Sequence, residues 1–286
     1  MGTRFGTGRT SLASNPSHRT HPRGVRRALL LVASSMILAA PVLATPLTAS
    51  AGTSSRYLYW TNYGQSGTGS SIGRSLINGT RVDQRFITQA QGPVGLVING
   101  PYLYWSNPGV DNGSPGTTIG RARLNGTDVN QHFISGAAGP WGVVIVGNYL
   151  YWTNYGINGG SSGTTIGRAR LNGTDVNQDF ISGTQAPAGI AASRGYLYWS
   201  NQGANQTGTT IARATLSGGQ VNESFIRGAR APAGLSIAGS YIYWANFNGT
   251  HGIGGSTLGR ARLNGTDVNQ HFITGALSPV GVWVGN

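Results

Sequence analysis

Hydrophobic and polar positions alternate along the chain in a fixed long period. The segment Tyr-(Leu/Ile)-Tyr-Trp-(Thr/Ser/Ala)-Asn occurs five times, and each copy is followed by a stretch rich in glycine, serine and asparagine. Next come (Ile/Leu)-(Gly/Ala)-Arg, a polar turn, Phe-Ile, and Pro-x-Gly before another short apolar segment. Short aromatic and β-branched segments bounded by Gly, Asn and Pro are typical of strands, so each repeat predicts four strands. The five repeats are marked by their tryptophans, which are 45 to 47 residues apart: Trp60, Trp105, Trp152, Trp199 and Trp244.

The turn between the third and fourth predicted strands carries the clearest local signal. Asn-Gly begins at Asn78, Asn125, Asn172 and Asn264, and the fourth repeat has Ser217-Gly218-Gly219 instead. Asn-Gly between two apolar segments favours a type I′ hairpin, because both central residues need a positive φ. Tandem four-stranded units of this length predict an all-β fold, a β-propeller with one blade per repeat. A β-solenoid of stacked repeats is the alternative.

The two ends of the repeat array predict how the ring closes. The first repeat begins at Tyr57 and lacks its leading apolar strand, whereas Pro279–Asn286 has the sequence of that strand. The C-terminal segment is therefore expected to complete the first blade, which leaves no open edge in a propeller of five four-stranded blades. A solenoid would not need this division of one unit between the termini.

Residues 1–51 have the pattern of a secretory signal peptide rather than of the repeats. Arginines precede an apolar segment, Ala28–Ala44, and Ala49-Ser50-Ala51 offers a small-x-small cleavage site. An uncleaved membrane anchor is the alternative, but the apolar segment is short for a span. Arg26-Arg27 leaves open whether export uses the general or the twin-arginine route.

The predicted organisation is a signal peptide at 1–51, cleaved near Ala51, and a propeller at 52–286. The protein is expected to be secreted, extracellular and monomeric, with no stable membrane insertion after cleavage.

Composition excludes several chemistries. The chain has no cysteine, so disulfides, cysteine metal sites and thiol nucleophiles are excluded. The net charge of +13 raises a nucleic-acid or polyanion partner. However, five of the fourteen arginines outside the leader recur at one repeat position, which spreads them around a ring and favours a structural role, bonded to carbonyls or to the motif asparagine. We therefore expect no nucleic-acid partner. The recurrent arginines are Arg74, Arg121, Arg168, Arg213 and Arg260.

The few acidic residues argue against catalysis. Four of them lie at or near the hairpin turns, where aspartate bonds nearby backbone: Asp83, Asp128, Asp175 and Asp267. Asp179 stands where other repeats have His132, His271, Arg85 and Ser224, so that position is expected to face solvent. No Ser-His-Asp arrangement or metal-ligand spacing is present, and we expect no catalytic residue, no metal and no cofactor.

The loop after Tyr-Trp-x-Asn differs between repeats and is the candidate binding region. In a four-stranded blade this loop shares a face with the Pro-x-Gly connections, and variable loops on a rigid scaffold often carry function. Aromatic side chains with neutral polar neighbours suit sugars or peptides; alternatively, they are loop residues packed on their own glycine-rich loops. The candidate ligand-binding residues are Trp141, Tyr63, Tyr155, Phe247, Asp111 and His251.

The repeat resembles a known family. Tyr-Trp-Thr-Asn, then Ile-Gly-Arg-Ala-Arg-Leu-Asn-Gly-Thr, then Pro-x-Gly, is similar to the YWTD-type repeats of low-density-lipoprotein-receptor class B propellers, here as a secreted relative of bacterial type. That resemblance covers 57–286 and implies extracellular protein binding through one propeller face. It also implies six blades as the variant to five. The family's aspartate is asparagine in this chain, at Asn62, Asn107, Asn154, Asn201 and Asn246.

Three functions remain open from the sequence. The first is a secreted, non-enzymatic propeller that binds a protein or carbohydrate through its loop face. A weaker similarity to bacterial streptogramin lyases and lactonase-type propellers keeps an enzyme as the second, although the scarcity of acids disfavours it. The third is a structural cell-surface repeat protein, since repeats two, three and five are nearly identical.

Overall fold

The computed structural model describes residues 57–64, 68–109, 115–156, 163–247 and 255–284. The predicted signal peptide and two candidate site residues, Asp111 and His251, lie outside these ranges. No helix in this described part of the chain is long and apolar enough to cross a membrane.

The described residues form antiparallel strands and one short 3-10 turn, Ala204–Gln206. The strands are β1 (Tyr57–Asn62), β2 (Ser71–Leu76), β3 (Asp83–Thr88), β4 (Leu96–Asn99), β5 (Tyr102–Gly109), β6 (Pro115–Arg123), β7 (Asn130–Ser135), β8 (Pro140–Val146), β9 (Tyr149–Asn154), β10 (Thr165–Arg170), β11 (Asn177–Ser182), β12 (Pro187–Ser193), β13 (Tyr196–Asn201), β14 (Thr210–Thr215), β15 (Asn222–Arg227), β16 (Pro232–Ala238), β17 (Tyr241–Asn246), β18 (Thr257–Arg262) and β19 (Asn269–Thr274).

These strands form five sheets in chain order, one per repeat, and we number them as blades 1 to 5. Blade 1 contains β1–β3, and blades 2 to 5 contain four consecutive strands each, beginning at β4, β8, β12 and β16. Within each sheet every strand pairs with its neighbour in sequence. The Tyr-Trp-x-Asn motif lies in the same strand of each blade, and the predicted all-β propeller of five blades is confirmed.

The predicted type I′ geometry of the hairpin turns is wrong. Gly126 N donates to Arg123 O at 2.9 Å, so Leu124 and Asn125 are the central residues of the turn, and neither of them has a positive φ. Asn125 Oδ1 accepts hydrogen bonds from the backbone N and the Oγ1 of Thr127, at 3.0 and 2.8 Å. Gly126 and Asp128 have φ of 90° and 53°. A left-handed φ favours glycine, asparagine and aspartate, so aspartate in this turn is explained by backbone conformation.

The core lies between neighbouring sheets and repeats its composition at each interface. Aromatic and branched side chains of one blade pack against the Trp face of the next, as the four main clusters show. Between blades 2 and 3, the core residues are at most 2 % exposed: Tyr104, Ile119, Ile134, Ala137, Leu150, Trp152 and Ala169.

A recurrent hydroxyl joins each of blades 1 to 4 to the inner strand of the following one. In blade 3, Gly142 N donates to Thr153 Oγ1 (2.8 Å), which in turn donates to Ala188 O in blade 4 (2.7 Å). Blade 5 has Ala245 at this position, and there Gly234 N donates directly to Val280 O at 2.7 Å. Residues 279–284 thus lie beside β16, where the inner strand of a following blade would lie.

The first sheet differs from the expectation. Among the described residues β1 pairs with β2 alone, and 279–284 form no strand, so the expected pairing of the C-terminal segment with β1 is not made. The physical reason is that the outer faces of blades 5 and 1 do not bury each other. Leu58 is 57 % and Ile273 46 % exposed, whereas their counterparts in the four formed interfaces are at most 2 % exposed.

Candidate functional site

Three of the predicted ligand-binding residues form one aromatic cluster on the loop face. The ring centroids of Tyr63 and Trp141 are 6.0 Å apart at an interplanar angle of 65°. Those of Trp141 and Tyr155 are 5.0 Å apart at 41°. The loop of blade 1 therefore meets the β8–β9 hairpin, since Trp141 lies in β8 and Tyr155 directly follows β9. Tyr63 and Trp141 are in contact although they are 78 residues apart in sequence.

The cluster is held by backbone and side-chain contacts from four blades. Ser106 Oγ of blade 2 donates to Trp141 O at 2.7 Å. Tyr155 packs with Ala186 and Ala188 of blade 4, and its hydroxyl donates to Gln202 Oε1. Tyr155 is 6 % exposed, whereas Tyr63 and Trp141 are half-buried and keep part of their rings at the surface.

The other predicted residues are not brought into this cluster. Phe247 is half-buried in blade 5, where its backbone N donates to Ala231 O at 3.3 Å, and none of the described ring contacts joins it to the other three. Asp111 and His251 lie outside the described residues, so their predicted place on this face stays a prediction.

A cleft of about 370 Å³ adjoins the cluster between blades 3 and 4. The loop after Asn201 belongs to the candidate binding region that the sequence predicts, but the other lining residues were not predicted. A signal was present at Thr184 and Ala204–Gln206, which differ from the matching positions of the other repeats. The cleft continues from the cluster because it shares Ala186 with the Tyr155 contact. Its lining residues are Gly163, Thr164, Thr184, Gln185, Ala186, Gly203, Ala204, Thr207, Gly208 and Thr209.

The charged groups of the described chain lie elsewhere. No residue lining the cleft is charged. In the ranges that the structure covers, no three His, Cys, Asp or Glu side chains lie together as metal ligands would. Asp128, Asp175 and Asp267 each pair with an arginine of their own hairpin, with both partners about half exposed. Such exposed pairs contribute little stability.

Glu223 is the exception among the acids. One of its oxygens, Oε1, is buried without a hydrogen-bond partner, and the other accepts from Asn201 Nδ2 at 2.8 Å. Burial raises the pKa of Glu223, and hydrogen bonds from Asn201 and Trp199 only partly oppose that rise. It stands in a blade interface rather than in the cleft.

The recurrent arginines have structural contacts, as expected: Arg74 and Arg121 bond carbonyls, and aromatic rings are partners that the sequence did not predict. Arg168 lies between two rings of its own blade, with its guanidinium carbon 4.7 Å from the centroid of Tyr149 and 4.1 Å from that of Phe180. In blade 2 the matching Arg121 also donates to Leu171 O of the next blade at 3.5 Å. The partners are thus aromatic faces and a carbonyl of the following blade; the described hydrogen bonds include none from these arginines to the motif asparagine.

We expect Arg168→Ala to lower the free energy of unfolding by about 2 kcal/mol, because it removes two cation–π contacts and buried stem packing. Arg170→Ala, two residues away, is the matched control: it removes an exposed ion pair and one longer ring contact, 5.3 Å from the Tyr149 centroid, so we expect a change below about 1 kcal/mol. Urea denaturation of both variants measures the difference. Equal losses would contradict the structural role of the two ring contacts of Arg168.

Comparison with known proteins supports the fold alone. No protein-family model and no curated protein matches the chain. Among solved structures, a chain in the crystal structure of the nidogen/laminin complex is similar, with 20 % identity and a TM-score of 0.58. The match covers 80 % of this chain and 81 % of that one. The computationally designed proteins Ika4 and Ika8 have TM-scores of 0.39 and 0.41, at 14 % and 15 % identity. The match with Ika4 covers 56 % of this chain and 88 % of Ika4. The match with Ika8 covers 72 % of this chain and 58 % of Ika8. The nidogen/laminin similarity supports the resemblance to YWTD-type propellers at the level of the fold.

Proposed function

We propose that the protein is a secreted, non-enzymatic propeller that binds a protein or carbohydrate through its loop face. The observation that carries this proposal is the cluster of Tyr63, Trp141 and Tyr155, which gathers aromatic rings beside an uncharged cleft. Ligand sites combine aromatic walls with a few fixed polar groups. The nidogen/laminin structure is a complex between proteins, which fits a binding role for this fold.

The site chemistry favours binding over catalysis. A general acid or base must lie within hydrogen-bond reach of the reacting group. Among the described residues, the cleft lining contains no acid, histidine or arginine, and the buried Glu223 stands at a blade interface. Neutral hydroxyl and amide groups beside aromatic rings can hold a ligand but offer no group for proton transfer. The leader, cleaved near Ala51, would place this surface outside the cell.

Trp141→Ala is expected to weaken binding of the ligand at least tenfold without unfolding the protein. Blades 4 and 5 have Ala188 and Ala233 at the matching position, so the backbone accepts alanine there. The loss follows from removing one half-buried aromatic contact, since about 1.4 kcal/mol corresponds to a factor of ten. Screening the purified protein against glycan and extracellular-protein panels, followed by titration with each variant, measures it.

Two results would count against this assignment. Saturable binding that Trp141→Ala leaves unchanged would place the binding surface elsewhere. An absence of binding across both panels would favour the structural cell-surface role that the near-identical repeats suggest.

A further inference from the structure

Four of the five hairpin turns contain the same Asn-Gly pair and have the same local geometry. In blade 1, Asn78 Oδ1 accepts hydrogen bonds from the backbone N and the Oγ1 of Thr80, at 3.1 and 2.7 Å. Gly79 N donates to Leu76 O at 2.9 Å. The matching bonds in blades 2, 3 and 5 have lengths of 2.8 to 3.1 Å. A difference in reactivity among these turns must therefore come from the groups around them. The four pairs begin at Asn78, Asn125, Asn172 and Asn264.

Three of these turns are covered by a phenylalanine of the preceding blade, and the turn of blade 1 is not. A Cβ built on Gly126 would lie 2.8 Å from the ring of Phe86, so the ring and this glycine are in close contact. Beyond its chain neighbours, no atom of the described residues lies within 4 Å of the same point on Gly79. The ring at the matching place in the repeat is Phe272 of blade 5, which is 37 % exposed. The contact of blade 2 recurs in blades 3 and 5, with Cβ-to-ring distances of 3.1 Å from Gly173 to Phe133 and 3.0 Å from Gly265 to Phe225.

An ion pair across the turn is a second restraint that blade 1 lacks. In blade 2, Arg123 precedes the turn and Asp128 follows it, and Arg123 Nε donates to Asp128 Oδ2. Blades 3 and 5 have the same pair. Blade 1 has Leu76 and Arg81 at these two positions, which cannot form an ion pair. The turn of blade 1 therefore has neither the covering ring nor the ion pair.

Asparagine followed by glycine is prone to intramolecular deamidation, because glycine has no Cβ to hinder the attack. In this reaction the backbone N of the glycine attacks Cγ of the asparagine. In the folded turn of blade 1 that nitrogen donates to Leu76 O, and the side-chain oxygen accepts from Thr80, so these bonds must open first. The rate therefore follows the population of the opened turn, and a segment opens most easily where few contacts hold it.

We propose that Asn78 is a site of spontaneous deamidation, which reacts faster than the covered asparagines of the other three turns. Gly79 N loses its proton and bonds Asn78 Cγ, the bond from Cγ to Nδ2 breaks, and ammonia leaves with that proton. Water then opens the resulting succinimide at either carbonyl, which gives aspartate or isoaspartate. Both products place a carboxylate on the uncovered side of blade 1, and isoaspartate also lengthens the turn by one backbone atom.

This modification is independent of the proposed binding function. The turn at Asn78 follows β2, whereas the loop that carries Tyr63 precedes β2, so the two lie at opposite ends of this strand. Deamidation should leave ligand binding at the aromatic cluster unchanged.

The test is to incubate the purified protein at mildly alkaline pH and to follow each asparagine by tandem mass spectrometry of tryptic peptides. We expect Asn78 to react about tenfold faster than each of the three covered asparagines, because the turn of blade 1 opens without breaking an aromatic contact or an ion pair. Equal rates at the four sites, or a slower rate at Asn78, would overturn the proposal, since Phe272 or another group would then cover the turn in solution. The other Asn-Gly pairs lie in different loops and are followed separately, at Asn99, Asn112, Asn158 and Asn248.

Phe133→Ala tests whether the covering ring is the cause. It uncovers Gly173 and should raise the rate at Asn172 several-fold, while the two other covered asparagines of the same chain keep their rates. Arg170→Ala removes the ion pair of that turn and leaves the ring in place, so it should raise the rate at Asn172 less. An unchanged rate at Asn172 in Phe133→Ala, or an equal rise at all three covered asparagines, would mean that the ring does not protect the turn and would overturn the inference.

Discussion

Trp152→Ala is expected to lower the free energy of unfolding by about 3–5 kcal/mol, the largest effect of any substitution considered for this protein. Trp152 is fully buried between blades 2 and 3, and its ring is packed so closely that a Cβ built on Gly167 would lie 2.1 Å from it. Alanine would leave a cavity the size of an indole, which neighbouring strands can fill only in part. Small domains have a free energy of unfolding of about 5–15 kcal/mol, so the variant should retain little of its stability.

Lost hydrogen bonds add to this cost. Trp152 Nε1 donates to Asn154 Oδ1 at 3.1 Å and to Gln178 Oε1 at 3.2 Å. Both acceptors lie at the same blade interface and would lose a buried donor, which is unfavourable in itself. The loss should therefore exceed that of a purely apolar truncation of equal volume.

Urea denaturation followed by far-ultraviolet circular dichroism measures the change, because it does not depend on the other tryptophans. Trp283→Ala is the matched control: its side chain is 85 % exposed, so its loss should change stability by less than about 0.5 kcal/mol. A loss below about 1 kcal/mol for Trp152→Ala would mean that the interfaces are not the main source of stability.

The interfaces between blades could be predicted from the sequence because every repeat has the same apolar residues at the same positions. Five tryptophans at one repeat position indicate five equivalent environments, and four of the five are fully buried. Tyr63, Trp141 and Tyr155 are predicted to share one face for a similar reason, since equivalent loops of a propeller lie on one side of the ring. Because the repeats are equivalent, a pattern within one repeat predicts contacts between residues that are distant in sequence.

Closure of the ring could not be predicted in the same way. The sequence of 279–284 matches an inner strand, and the structure does place it beside β16. Whether β1 reaches that strand depends on the angle between successive sheets, which is set by the summed volumes of side chains at four interfaces. Alternation of apolar and polar positions indicates the faces of a strand but not this angle. Leu58 and Ile273 therefore remain exposed although their sequence positions are core positions.

Single departures from the repeat were also hard to interpret from sequence. Thr184 replaces alanine and Glu223 replaces glutamine, and each looks like a conservative change in a variable repeat. Their meaning depends on whether a partner is within reach, which only the packed interface decides. The recurrent arginines show the same limit: recurrence indicated a structural role, but the aromatic rings on both sides of Arg168 became visible only with the sheet formed.

Glu223→Gln is expected to stabilise the protein at neutral pH by about 1–2 kcal/mol. Blades 2, 3 and 5 have glutamine here, and its Nε2 donates to a carbonyl of the preceding blade at 2.7 Å. In blade 3, for example, Gln178 donates to Ser135 O. An ionised Glu223 has no proton to donate to the matching carbonyl, and its Oε1 is buried without a partner. Glutamine restores the donor and removes the buried charge.

The pH dependence of this effect has a definite sign. Because burial raises the pKa of Glu223 in the folded protein above its usual value of 4.5, the folded state holds the proton more tightly than the unfolded state. The stability linked to this proton is complete below about pH 4.5 and is lost as the pH rises through the folded-state pKa. The gain from Glu223→Gln should therefore be small near pH 4 and reach its full size at pH 7.

Denaturation midpoints of both proteins at pH 4 and pH 7 test this directly. Gln178→Glu is the reciprocal variant, since it places the same carboxyl group in the interface of blades 2 and 3, where the donor to Ser135 O is present. It should lose stability at pH 7 and regain most of it at pH 4. If Glu223→Gln were neutral or destabilising at pH 7, or if the two pH values gave equal differences, the buried carboxyl would have a partner that this interface does not show. If both variants behave as expected, one repeated glutamine links neighbouring blades, and low pH stabilises the interface of blades 3 and 4, where Glu223 replaces that glutamine.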